Sequence, residues 1–170
     1  AELFSGDARP KSKPQEQGSS NPYFTWLTDG LQTVLEHAEM RQMTIGFEPE
    51  PGMLIDTTDR FAELFDRIDS PRLKLTLDIG HLHCQGETPI ADSIRGWAHR
   101  IVNVHIEDMR AGVHEHLMFG DGEIDFPPII EALVEIGYHG GLHVELSRHS
   151  HIGSKAALQA TLQRGWPATS

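Results

Sequence analysis

Apolar residues first recur at helical spacing at Phe24, Leu27, Leu31, Val34, Leu35 and Ala38, which predicts a helix over 22–41 with one buried face. Residues 43–48 then alternate apolar with small or polar positions, and Pro49, Glu50, Pro51 and Gly52 end the implied strand because prolines cannot continue a ladder. The unit repeats. Helices are expected over 59–68, 89–99, 127–136 and 154–163, and strands over 73–78, 101–107 and 142–146. Thr88 before Pro89, and Ser154, are placed to cap the helices that follow them. Residues 7–22, rich in Pro, Ser, Gly and Lys, read as an exposed loop after a strand end at 2–6, so the chain divides into 1–22 and one domain over 23–170.

Strands that alternate strictly with helices imply parallel strands joined by crossovers. Side chains alternate across a strand with a period of two. One parity is apolar: Met43, Ile45, Phe47; Leu73, Leu75, Leu77; Val102, Val104, Ile106; Leu142, Val144, Leu146. These face the helices. The other parity ends each strand on a group with chemistry, namely Glu48, Asp78, His105 and Glu145. Four carboxyl-terminal strand ends would bring them to one place, as on the catalytic face of a (β/α)8 barrel.

Composition adds boundaries. A net charge of -11 repels phosphate backbones, so a nucleic-acid partner is not expected. No apolar run approaches the roughly 18 residues of a membrane span, and the first residues lack the basic and apolar regions of a secretory signal, so a cytoplasmic location is the default expectation. Cys84, the single cysteine, reads as a half-buried thiol. The histidines cluster at His81 and His83, His114 and His116, and His149 and His151. Trp26, Trp97 and Trp166 are expected to pack rather than to stack on a sugar.

Three carboxylates and one imidazole form a hard, oxygen-rich donor set that suits Mn2+, Mg2+ or Co2+ and remains compatible with Zn2+. Any one of these carboxylates alone would be read as the partner of Arg110, Arg148 or Lys74. Buried together they cost several kcal/mol per ion unless a cation offsets them, which favours a metal site at Glu48, Asp78, His105 and Glu145. Glu50 competes with Glu48, which is preferred because it ends the strand directly.

Phe47-Glu48-Pro49-Glu50-Pro51, Leu77-Asp78-Ile79-Gly80-His81, Val104-His105-Ile106-Glu107-Asp108, the run from His116 through Gly120 and Gly122 to Phe126, and His143-Val144-Glu145 together resemble the sugar phosphate isomerase/epimerase members of the xylose isomerase-like superfamily. The resemblance implies that the chain is the C-terminal half of a (β/α)8 TIM barrel, with the four ligands on strands five to eight and residues 2–6 ending strand four. The other half would come from further polypeptide, or two copies would close a barrel as a homodimer. It also implies a small carbohydrate-like substrate, and that Glu48 and Glu145 both hold the metal and exchange a proton at the carbon beside a carbonyl, through an enediolate.

His81 is placed either to contact a substrate oxygen or to orient Asp78. His114 and His116 either line the cavity or, with His81, hold a second metal, as a comparable pair does in the endonuclease IV branch. Arg110 and Arg148 are candidate substrate contacts, with a solvated loop the alternative for Arg148. The same ligands would also serve a metal-dependent hydrolase or lyase, and a non-catalytic half-barrel used for assembly is the third reading.

Overall fold

The structure is a computed structural model that describes residues 21–146. Helix α1 (Pro22–Met40) starts at Asn21, whose side chain accepts the Tyr23 N–H at 2.9 Å, with Pro22 in the first turn where its missing N–H costs nothing. Strand β1 (Ile45–Phe47) leads to α2 (Thr58–Ile68), which Thr57 caps through the Arg60 N–H. Then follow β2 (Leu73–Asp78), α3 (Ile79–Gln85), α4 (Ile90–Gly96), β3 (Ile101–Ile106), a hairpin of β4 (Asp108–Arg110) and β5 (Val113–Leu117), α5 (Phe126–Glu135) and β6 (Leu142–Val144).

β1, β2, β3 and β6 form a parallel sheet in that order, as the alternating pattern predicts. Its outer face meets the helices through Leu73, Leu75, Leu77, Val104 and Ile106, all buried with Phe61, Leu64, Ile94, Ile130 and Leu133. Phe61 anchors this layer, with its ring centroid 5.9 Å from that of Phe47 and 5.2 Å from that of Trp97. Burial of such a side chain contributes roughly 1.5–3 kcal/mol. α1 lies on α2, and α4 on α5. None of the described helices is long and apolar enough to cross a membrane.

Several expectations are corrected. Val102 does not face the helices. The register slips between Leu75, paired with Ile101, and Thr76, paired with Asn103, so Val102 is an extra residue, 43% exposed and turned toward Gly46. The bulge brings Ile101 into the core in its place. Met43 precedes β1 and is exposed, and Val144 on the sheet edge is exposed. Thr88 is not a cap: Pro89 takes that position with extended backbone and no side-chain bond, and α4 ends at Gly96 rather than near 99. Trp97 packs as expected, but Trp26 is exposed, edge-on to Tyr23. Cys84 is more deeply buried than expected, and burial pushes its thiol up.

α3 and the β4–β5 hairpin were not anticipated. α3 has seven residues, too few to show a period, although Asp78 before it and Gly86 after it, at φ 77, are ordinary helix signals. The strand expected over 2–6, the helix over 154–163 with Ser154, Trp166, Arg148, His149 and His151 lie outside the described residues.

Candidate metal centre

The parallel register carries the strand ends to a common level, since Asp78 pairs with His105 and His105 with His143, while Glu145 continues past β6 with its N–H on the Ile106 carbonyl. Side chains of like parity therefore converge. His105 Nδ1 is 3.1 Å from Glu48 Oε1, 2.9 Å from Glu145 Oε2 and 3.8 Å from Asp78 Oδ2. One donor atom from each of Glu48, Asp78, His105 and Glu145 lies within 4.8 Å of all the others. The four groups expected from sequence are thus brought together.

Each is held differently. Asp78 accepts the His81 backbone N–H at 2.7 Å as the cap of α3, which leaves its Oδ2 buried without a hydrogen bond. His105 is fixed from behind by the Asn103 amide, 3.0 Å from Nε2. Glu48, just past β1, has its pKa raised, first by burial and then by the charges of Asp78 and Glu145, with His105 and His81 opposing. Glu145 is the most open of the set. An orphaned aspartate oxygen aimed at two glutamates and an imidazole fits a divalent cation, because a cation satisfies all four at once.

A second cluster adjoins the first. His81 is buried, and its Nδ1 is 3.1 Å from the Pro49 carbonyl. A carbonyl only accepts, so Nδ1 carries the proton, and in the neutral ring Nε2 is left as the acceptor for His114 Nε2 at 3.1 Å. His116 completes a group of three imidazoles, and Glu50 lies 3.8 Å from His81 and 3.7 Å from His114. Burial, reinforced by the neighbouring His81, lowers the His114 pKa and favours the neutral ring. The His81 ring does not orient Asp78. Its backbone N–H does, and the ring turns to Pro49.

Glu50 therefore belongs beside the imidazoles, and Glu48 joins the two groups, being within reach of His81 as well. Arg110 is exposed and engaged by Glu115 at 3.1 Å and the Asp121 carbonyl at 3.2 Å, so meeting a substrate would require it to leave these partners. Two acidic residues were overlooked from sequence. Asp108 accepts the N–H groups of Met109, Gly120 and Ile124 and so shapes the loop after β5. Glu107 is fully buried against Asp78, and burial, followed by the Asp78 charge, pushes its carboxyl up to about 10. It shares the parity of Asn103 and His105, which was the available signal.

The chain is 34% identical over 145 residues to the inosose dehydratase of Clostridium beijerinckii, a match covering 75% of this chain and 48% of that protein. With the inosose dehydratase of Geobacillus thermodenitrificans the identity is 32% over 155 residues, covering 78% and 52%. Among solved structures, a D-tagatose 3-epimerase-like protein superposes with a TM-score of 0.71 at 29% identity, over 82% of this chain and 54% of that one. A 3-keto-D-glucoside 4-epimerase from E. coli shares the fold at a TM-score of 0.72 and 16% identity, over 94% and 60%. The chain spans about half the length of the curated relatives it matches. A profile of the xylose isomerase-like TIM barrel covers residues 4–166, and on that match and this strand-end geometry the chain belongs to the xylose isomerase-like TIM barrel family.

Proposed function

We propose that this chain carries the metal centre of an enzyme that modifies a sugar or related polyhydroxy carbonyl compound, and that it acts as an isomerase or epimerase. The observation that carries the reading is the convergence of Glu48, Asp78, His105 and Glu145 within 4.8 Å of one another. These four would hold one Mn2+, Mg2+, Co2+ or Zn2+ ion. A bound divalent cation supplies Lewis-acid polarisation of a substrate carbonyl.

Glu145, the more open glutamate, is the group to take a proton from the carbon beside that carbonyl, and Glu48 the one to return a proton. His81 Nε2 and His114 are assigned to substrate oxygens, with a second cation held by His81, His114 and His116 as the alternative that metal stoichiometry decides.

A lyase reading is supported by the inosose dehydratases among the relatives. Both readings start with the same proton removal and differ in whether a hydroxide then leaves. The strands that complete the barrel are assigned to further polypeptide or to a second copy of the chain, and molar mass in solution separates these.

The test is proton NMR in D2O with ketoses and ketocyclitols. Deuterium entering beside the carbonyl, with an epimer or isomer as product and no loss of water, supports the proposal. An unsaturated or diketone product with loss of water selects the lyase. No exchange by a metal-loaded assembly of full barrel size contradicts both.

A further inference from the structure

The two flanks of α1 differ. Gln32, Leu35 and Glu39 face the end of α2 across a groove at Ile68 and Asp69, and Glu39 closes it with Arg72 at 2.6 Å. About half a turn round the helix, Tyr23, Gly30 and Val34 fall on one line, with Trp26 at its outer margin. All four are exposed, Trp26 at 66% and Tyr23 at 54%, and the two rings meet edge-on at 5.3 Å. A Cβ on Gly30 would meet nothing within 4 Å.

An apolar stripe with a glycine at its middle suits another helix, because packed helices approach to about 8–10 Å and a missing side chain eases that approach. The sheet is open at the same end of the molecule, since β1, the strand that follows α1, lies at its edge. In a barrel a further parallel strand on that edge brings its crossover helix alongside α1, as α2 already lies on the other flank. The relatives point to the source of that helix. The inosose dehydratase of Clostridium beijerinckii carries about as much polypeptide again beyond the part that this chain matches.

We propose that the flank of α1 formed by Tyr23, Gly30 and Val34 is the seam on which the rest of the barrel docks, and that its occupant is an α-helix with an apolar flank, carried by further polypeptide rather than by a second copy of this chain. The inference rests on the half-barrel assignment above and is independent of the metal reading.

The experiment mixes the full chain with the portion of the C. beijerinckii inosose dehydratase that this chain does not match, and follows molar mass together with maleimide labelling of Val34→Cys and Glu36→Cys. Both positions are exposed, whereas Cys84 is buried, and circular dichroism confirms that each variant folds. The expected result is an equimolar complex in which Val34→Cys loses its labelling and Glu36→Cys keeps it. Val34→Asp should weaken that complex about tenfold or more, because it buries an unpaired charge at the centre of the seam. A complex that leaves Val34→Cys reactive, or that Val34→Asp leaves at full strength, overturns the seam and keeps the half-barrel assignment. A chain that pairs with itself and protects Val34→Cys overturns the choice of partner, and protection in a monomeric chain shows that the chain covers this flank itself, which also overturns it. A chain that forms no complex with the added portion or with itself contradicts the half-barrel assignment together with the seam.

Discussion

The side-chain amide of Asn103 lies 3.0 Å from His105 Nε2, on the opposite edge of the ring from Glu48 and Glu145. That contact makes Nδ1 the nitrogen offered to the cluster. Without a cation the amide donates to Nε2 and Nδ1–H points at the carboxylates. If Nδ1 were to hold a cation, the ring proton would sit on Nε2 and the amide would have to present its oxygen there instead. Asn103→Ala should therefore weaken metal binding about tenfold while leaving the fold intact, read by calorimetry and circular dichroism. Unchanged affinity would show that the ring is oriented by its other neighbours.

The charges of the centre oppose folding when no cation is present. Glu48 has its pKa raised by burial, so the folded chain favours its neutral form and the charged form costs stability near neutral pH. Glu48→Gln should melt at or above the wild-type temperature without metal and lose the rise that Mn2+ or Co2+ gives the wild type. A ligand at about 100 times its Kd stabilises by about 2.7 kcal/mol, a shift that thermal melts resolve.

Asp108 should matter for stability more than for chemistry. Its carboxylate accepts three backbone N–H groups, from Met109, Gly120 and Ile124, and a Cβ on Gly122 would come within 2.2 Å of Oδ1. Asp108→Ala strands buried donors at about 1–3 kcal/mol each, so urea unfolding should show a loss of about 3 kcal/mol or more, and Asp108→Asn a smaller one.

Glu87 gives a pH signature away from the centre. Its carboxylate accepts the Thr58 backbone N–H at 3.0 Å and the Thr58 hydroxyl, yet burial outweighs these bonds and raises its pKa. A carboxyl raised on folding contributes stability that is complete below its unfolded pKa and is lost as pH rises through the folded value. The stability of wild type relative to Glu87→Gln should accordingly fall as pH rises above about 4.5, measured by urea unfolding at several pH values. A difference that rises with pH instead would mean that the Thr58 bonds dominate.

The strand order and four convergent groups were legible because period-two alternation places Glu48, Asp78, His105 and Glu145 at matching strand ends. The bulge at Val102 was not, since a one-residue slip leaves the apolar count of the strand unchanged and only shows against its partner. The short α3 and the hairpin escaped for want of length, and with them the reason His81 turns its ring to Pro49 while its backbone caps Asp78. The burial of Glu107 depends on the absence of a side chain at Gly80, which follows a different strand, and no local pattern displays that relation.

The central claim is a cation held by four residues, and the most direct measurement is elemental mass spectrometry on purified wild type and Glu145→Gln after equilibration with Mn2+, Co2+ or Zn2+. About one ion per wild-type chain, lost in the variant, is the predicted result; a second ion that survives Glu145→Gln would assign His81, His114 and His116 to metal rather than to substrate. A well-folded wild type that retains no ion under these conditions would contradict the account.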